Sequence, residues 1–475
     1  MDTSLEQVTM RKVAWRLVPF LCILYIIAFI IRINVGFASL TMGEDLGLTS
    51  EVLGWGAGLF FISYFFFEVP SNLMLHKFGA RRWIARVMIS MGLVSMAFVL
   101  VQGAKSLYLM RLLLGIAEAG LFPGVIFYIT LWFPKQWRGR VTAAFVAAIP
   151  VSSFIAGPLS GALLQLDGVA GLAGWRWMFI LEALPALAIG LVTLRYLTST
   201  PAEATWLSPE ERDWLIERLR GEQTDTTQSH GLREVLGSLV SWQVIRLALI
   251  YFGLTTGLYG IELWMPLIIK GFGLGTMAVG LVSAIPYLVA LGAMALWARH
   301  VDRSSDRFGN VAWPCAVAFC GLVAAGILHE QGVLVVTFLS VAIAGVMSAR
   351  PSFWVLPTEF LEGRKAAAGI AAINSIGNLG GFTGPYLIGW AKTATGSFTL
   401  GLMLASIPLL AAVLFALSLR NGAVVRSINQ WHRRLWARLQ TIGWGLGTAY
   451  STNECVYVAL RRSRFAHNAP YDQVL

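Results

Sequence analysis

The chain has 475 residues, of which 57% are hydrophobic and 13% charged, and its mean hydropathy is +0.68. A soluble domain carries about 25% charged residues, so the composition excludes an ordinary soluble globular protein and points to a chain solvated by lipid. The formal net charge of +11 follows from the placement of basic residues in loops and calls for no nucleic acid.

The first segment, MDTSLEQVTMRKVAWRLVPF, carries no small-residue cleavage site, so no removable signal peptide is expected. Apolar runs of about 20 residues then recur, each enough to cross a ~30 Å hydrocarbon core as a helix. They are predicted at 17–40, 53–75, 83–102, 106–131, 141–164, 176–197, 244–269, 278–298, 311–328, 333–356, 366–390 and 397–419. The expected fold is all-α, with about 12 transmembrane helices. Between the sixth and seventh runs lies a polar segment, 198–243. Within it Ser208, Pro209 and Glu211 form a capping-box start, which predicts a short amphipathic helix with Trp214, Leu215 and Leu219 on its apolar side. The expected domains are a six-helix half at 1–197, a linker at 198–243, a second six-helix half at 244–419 and a tail at 420–475.

Basic residues set the orientation. Arg11, Lys12 and Arg16 precede span one, Lys77, Arg81 and Arg82 follow span two, Lys135, Arg138 and Arg140 follow span four, and Arg299, Arg303 and Arg307 follow span eight. These ends are expected in the cytoplasm, with both termini there. The opposite loops are poor in Lys and Arg, as in TMGEDLGLTSE, with Glu44, Asp45 and Glu51. Cys22, Cys315, Cys320 and Cys455 offer no CxxC spacing, so neither a disulfide nor a metal site is expected.

The halves echo each other. NLMLHKFGARR (72–82) after span two corresponds to ARHVDRSSDR (298–307) after span eight, and FPGVIFYITLWFPKQWRGR (122–140) to RPSFWVLPTEFLEGRK (350–365). Likewise FIAGPLSG (154–161) corresponds to GFTGPYLIG (381–389). Three pairs in matching order indicate duplication, hence two pseudo-symmetric halves. The steps Gly157-Pro158 and Gly384-Pro385 are expected to weaken helices five and eleven locally.

Charges inside the spans mark the candidate site. An Arg near a helix centre costs roughly 2.5–3.5 kcal/mol on insertion scales, so it faces a cavity or a partner. Arg32 sits deep in span one and reads as an anion ligand, the alternative being a structural ion pair. In RLLLGIAEAGLFPG, Arg111 and Glu118 are seven residues apart, about 10 Å on one helix face, too far to pair directly. Both are expected to line one cavity, with Glu118 as the proton site. Asn374, Ser375 and Asn378 in AAINSIGNLGGF and Tyr64 in FISYFFFEVPSN could complete it through hydrogen bonds, although inter-helix packing explains such residues equally. Glu68, Glu182 and Glu262 also fall in or near spans and read as structural.

With these residues assembled, the sequence resembles the major facilitator superfamily and, within it, the anion:cation symporter family of organic-anion carriers. The resemblance runs over about residues 10–420 and rests on RINVGFA, EVPSNLMLHKFGARRWIAR, RLLLGIAEAGLFPG, GWRWMFILEALPA, AEATWLSPEER, ARHVDRSSDR and INSIGNLGGFTGPYLIGW. It implies the major facilitator fold and alternating access around a midplane site, with an anion held by arginines and coupled to protons or sodium. By position, Arg32, Tyr64, Arg111 and Asn374 look like anion-site residues and Glu118 like the acidic coupling residue. Lys77, Gly79 and Arg81, with Asp302 and Arg303 in the second-half copy, look like gating-loop residues. Ile31 stands where the family often has Asp, which removes one proton acceptor and implies a smaller driving force, and His76 stands where the wider superfamily favours Asp. Beyond residue 420 the resemblance stops; SINQWHRRLWARLQTIGW, with Arg433, Arg434, Arg438, Trp431, Trp436 and Trp444, suits an interfacial helix on anionic lipid or a weakly ordered tail.

The implied function is secondary active import of a small mono- or dicarboxylate, with no cofactor, by one chain acting as a monomer in the cell (inner) membrane. The alternative is a non-concentrative facilitator or a transporter-like sensor. No enzyme is expected: there is no GxxxxGK[ST], His329-Glu330 lacks the second His of HExxH, and GFGLG fails the third glycine of GxGxxG. Sugar acids, tartrate-like diacids and aromatic acids all fit the residues.

Overall fold

The computed structural model describes residues 2–223, 241–357 and 364–441, and among these there are helices and no strand. Met1–Leu419 form one compact unit, and Arg420–Leu475 a second, of which residues 420–441 are helical. The tail side chains Trp431, Arg433, Arg434, Trp436, Arg438 and Trp444, together with Cys455 and the His76 imidazole, lie outside the described residues.

In chain order the first half contains α1 (Asp2–Asp45), α2 (Ser50–Phe78), α3 (Ala80–Ala97), α4 (Ala104–Glu118), α5 (Leu121–Trp132), α6 (Lys135–Val146), α7 (Ala148–Leu163) and α8 (Gly174–Tyr196). The linker forms α9 (Pro209–Gln223). The second half contains α10 (Trp242–Lys270), α11 (Thr276–Val301), α12 (Gly309–Ile327), α13 (Gly332–Phe353), α14 (Arg364–Asn378), α15 (Gly380–Thr395) and α16 (Thr399–Thr441). Eleven helical segments among the described residues are long and apolar enough to cross a membrane. The remaining expected span, 366–390, is α14 followed by α15, with Leu379 between them at φ −63°, ψ −20°.

The fourth span is interrupted where Pro123 dictates. Proline has no N–H to give the carbonyl four residues earlier, here Ala119, and α4 ends at Glu118 while Gly120 takes the left-handed conformation, φ +86°. The freed carbonyls are not abandoned, as a membrane interior requires: Ser71 donates to the Ala119 oxygen at 2.5 Å and Arg86 to that of Ala117 at 3.4 Å. Glu118 therefore sits on the last residue of a broken helix. By contrast α7 and α15 run through Pro158 and Pro385 unbroken. The interruptions in spans five and eleven fall earlier, at Ala147 and Leu379.

The Gly-Pro steps serve packing instead. Gly157 of α7 and Gly280 of α11 approach so closely that a Cβ on either would strike the other's carbonyl. Around them α7 packs on α11 and α2 on α15, joining the halves at the end away from the N-terminus. That end also carries Trp55 against Phe382 and Tyr386, with ring centroids 5.2 and 5.0 Å apart, and a bond from the Glu51 amide to Thr393 Oγ1 at 3.0 Å.

The linker helix begins with the expected reciprocal cap: the Ser208 amide donates to Glu211 Oε2 at 2.8 Å and the Glu211 amide to Ser208 Oγ at 3.2 Å. Leu215 and Leu219 are buried. Lys12 of α1 bonds Glu211 Oε2 at 2.9 Å, and Glu222 accepts from the Lys135 amide at 3.0 Å at the start of α6. Partial burial pushes the Glu211 carboxyl up, but the Lys12 ammonium and the Ser208 donors outweigh it and hold it below the usual carboxylate range.

Candidate functional site

Arg32 is buried in the last third of α1, and its guanidinium is divided between two partners. Nε lies 2.9 Å from Glu118 Oε1, Nη2 makes a second, short contact with the same oxygen, and Nη1 donates to the Tyr259 hydroxyl at 3.0 Å. The rings of Phe29, Phe60 and Tyr64 surround it with centroids 5.4 to 5.7 Å from the guanidinium carbon. Glu118 Oε2 is buried and unpartnered. The ion pair joins α1 to the broken end of α4, and Tyr259 brings in α10 from the other half.

On one side of this pair lies a small cavity of about 20 Å³, room for about one water molecule. Its walls are Tyr25, Arg32, Phe60, Tyr64, Phe122, Tyr251, Tyr259, Arg350, Asn374 and Asn378. Arg350 was not foreseen. It stands near the end of α13, is 8% exposed, and donates from Nη2 to the Tyr251 hydroxyl at 3.1 Å, while its Nη1 is buried without a partner. Of the three arginines buried among the described residues, Arg32, Arg111 and Arg350, Arg350 is the one in this cavity with no described carboxylate at hydrogen-bond distance.

Of the expected site residues, Arg32, Tyr64, Asn374 and Asn378 meet at this cavity. Arg111 does not. It lies behind the Phe60 ring, 5.2 Å from its centroid, with Nε on the Gly56 carbonyl at 3.3 Å and Nη1 on that of Arg32 at 3.5 Å. Ser375 and Asn374 both turn to Glu68 of α2: Asn374 Nδ2 reaches Oε1 at 2.5 Å and Ser375 Oγ reaches Oε2 at 3.2 Å. Glu68 therefore ties α2 to α14 across the halves, on the side of the cavity nearer the N-terminus. Lys77, in the last turn of α2, and Asp302 and Arg303, in the turn after α11, are exposed at that end, away from the cavity. Gly79 is the C-cap of α2 at φ +83°, where a side chain would be strained, and Arg81 is half-buried with its Nε unpartnered.

A second cavity, also about 20 Å³, lies on the other side of Arg32 and Tyr259 and is walled by Arg111, Phe61, Glu262 and Pro385 among others. Glu182 is enclosed within the first half, accepting from Asn34 at 3.0 Å and Ser160 at 2.8 Å. No group of three or more His, Cys, Asp or Glu able to hold a metal occurs among the described residues.

The arrangement, a buried arginine-rich chamber between two helical halves, can bind an anion and exclude water. The family model described as Major Facilitator Superfamily matches residues 21–385. The chain belongs to this superfamily. A protein of Agrobacterium vitis named as a tartrate transporter is 51% identical over 90% of this chain and 95% of its own. The inner membrane transport protein RhmT of Escherichia coli is 35% identical over 91% of this chain and all of its own. Among solved structures, a bacterial homologue of the lysosomal transporter Spinster superposes with a TM-score of 0.68 at 16% identity, covering 84% of this chain and 95% of that one. The xylose transporter XylE superposes with a TM-score of 0.64 at 16% identity, covering 84% of this chain and 97% of that one. The protein is thus a multi-pass membrane transporter and not an enzyme.

Proposed function

We propose that this transporter imports a small organic anion, a mono- or dicarboxylate, by alternating access coupled to protons. The observation that carries the reading is Arg350 Nη1, a buried guanidinium nitrogen with no partner in the cavity that also presents Arg32. An unpaired donor on a buried cation is costly, and a carboxylate is the ligand that satisfies it with two charge-assisted bonds. Asn374, Asn378, Tyr64 and the hydroxyls of Tyr25, Tyr251 and Tyr259 supply further donors. A relative named for tartrate transport favours a hydroxy-diacid as the first probe.

Coupling works through the Arg32–Glu118 pair. A proton on Glu118 Oε2 cancels the charge that holds Arg32, and Arg32 turns its donors to the anion; loss of the proton re-forms the pair and expels the cargo. Each proton contributes about 1.4 kcal/mol per pH unit. Each net charge moved adds ~2.3 kcal/mol per 100 mV. Arg111, propped on backbone carbonyls, supplies positive potential without contact.

The rocking bodies are residues 1–197 and 244–419, joined by the linker at 198–243, and one chain suffices. Both termini face the cytoplasm of a cell whose inner membrane the protein spans. On this orientation the bond from Glu68 to Asn374 and Ser375 is the cytoplasmic closure, and the Lys77, Gly79, Arg81 and Asp302, Arg303 loops move with it. The test is uptake of labelled carboxylates into proteoliposomes with and without an inward proton gradient. Accumulation of one acid, abolished by Arg32→Ala and by Arg350→Ala, supports the reading; equal accumulation by the variants overturns it.

A further inference from the structure

Four glutamates are buried in the membrane-spanning bundle among the described residues, and three have compensated carboxylates. Glu118 faces a guanidinium, Glu68 accepts from an amide and a hydroxyl, and Glu182 accepts from an amide and a hydroxyl. Glu262 of α10 is the exception. It is 4% exposed and borders the second cavity; Oε1 lies 3.2 Å from Ser153 Oγ of α7, and Oε2 is buried with no partner.

The Ser153 hydroxyl cannot satisfy that carboxylate. It has one proton, and the Ile149 carbonyl one turn back in α7 lies 3.3 Å from the same oxygen. With Glu262 ionised, that single proton is shared between two acceptors in long bonds of 3.2 and 3.3 Å. With a proton on Glu262, each contact has a proton of its own: the carboxyl donates to Ser153 Oγ and Ser153 donates to Ile149. The charged groups that reach Glu262 from the neighbouring helices do not replace this proton. Arg32 of α1 gives its donors to Glu118 and Tyr259, and Arg111 of α4 gives Nε and Nη1 to carbonyls. Arg350 of α13 bonds Tyr251, and the titratable group buried on α11 is Tyr287. A metal cation would need several more oxygens and would share its cavity with two guanidiniums.

We propose that Glu262 is a second proton-binding site of the transport cycle, separate from Glu118, filled from the side away from the N-terminus. Ser153 belongs to the first half and Glu262 to the second, so their bond forms only while α7 and α10 are together at that end. Loading the proton therefore favours closure there, and opening exposes the carboxyl to water and lowers its hold on the proton. This rests on the transport reading only for its role in coupling; the titration itself is a property of the chain alone.

Two measurements test it. The first takes the full chain in lipid, without substrate, through a pH titration followed by infrared difference spectroscopy of the protonated-carboxyl C=O stretch. A band lost in Glu262→Gln and shifted in Ser153→Ala is expected; a Glu262→Gln spectrum superimposable on wild type overturns the site. The second is the accumulation ratio of the transported acid at an imposed gradient of one pH unit, where loss of one coupled proton predicts a roughly tenfold lower ratio for Glu262→Gln. An unchanged ratio beside a lost band overturns the coupling role. A wild type that accumulates no acid speaks against the carboxylate reading, while the infrared result still decides the site.

Discussion

Arg350→Lys separates charge from geometry at the anion site. The guanidinium spends Nη2 on the Tyr251 hydroxyl and keeps Nη1 for the cavity, a division that a planar fork allows and a single ammonium does not. Lysine retains the charge, so long-range attraction survives, but at least one directed bond to a carboxylate is lost. A hydrogen bond to a charged group is worth about 1.5–3 kcal/mol, which converts to a roughly 10- to 150-fold weaker Kd. Equilibrium binding of labelled tartrate, then of the other acids of the uptake panel, to purified protein reads this directly. Tyr251→Phe, which removes only the acceptor that steadies Nη2, should cost about 1 kcal/mol, near fivefold. Arg350→Lys binding within twofold of wild type, beside a large loss for Arg32→Lys, would refute the assignment of the cargo carboxylate to Arg350.

Glu118→Gln breaks the charge on which Arg32 is held while preserving shape; accumulation at a gradient of one pH unit should fall roughly tenfold, leaving the share that Glu262 drives, and exchange of labelled for unlabelled acid across equal pH should persist. Gly280→Leu inserts a side chain where the Gly157 carbonyl lies, an overpacking cost of about 1–3 kcal/mol, read as a lower Tm in detergent and as loss of the state closed at that end. For Glu211, whose carboxyl is held below its usual range, the sign is fixed: its contribution is full above the unfolded pKa of about 4.3 and is lost as pH falls through the lower folded value. Lys12 is 47% exposed, so the pair contributes at most about 1 kcal/mol. Hydrogen exchange of the α9 amides should rise at acid pH relative to the intrinsic rate, and Glu211→Gln should remove that dependence.

The helices and the linker cap were legible because each rests on local chemistry: apolar length for the spans, and Ser208 three residues before Glu211 for the cap. Arg32, Tyr64, Asn374 and Asn378 were legible as candidates that line one cavity for the same reason, since a polar group deep in an apolar run must find a partner. Which partner is a tertiary question, and there the sequence was silent. Seven residues on one helix kept Arg111 and Glu118 apart, yet nothing in α4 alone says that Glu118 meets Arg32 and Arg111 retires behind Phe60. Arg350 escaped although it lies inside the expected span 333–356, because RPSFWVLPTEFLEGRK (350–365) reads there only as the repeat of 122–140. Pro123 held the clue to the broken fourth span, whereas the Gly-Pro steps drew attention to points that stay helical in spans five and eleven, which break earlier, at Ala147 and Leu379.

The two ends of the chamber are closed by different chemistry, and this decides which opens at lower cost. Away from the N-terminus the halves meet through Gly54 on the Pro385 carbonyl, Gly157 on Gly280, and Trp55 against Phe382 and Tyr386. Such contacts are dispersion and apolar burial, which water cannot replace once the surfaces part. Near the N-terminal end the closure includes Glu68 on Asn374 and Ser375. Those bonds exchange for water with little net loss, since a solvated carboxylate and amide are each satisfied. In the empty carrier the N-terminal side should therefore open first. Glu68→Ala should shift the resting ensemble that way without touching Arg350, raising labelling of a cysteine placed at Ile370 in α14 several-fold while leaving one placed at Trp55 unreactive. Equal labelling at both positions would mean that Glu68 is a packing element and that the barrier between the two open states lies elsewhere.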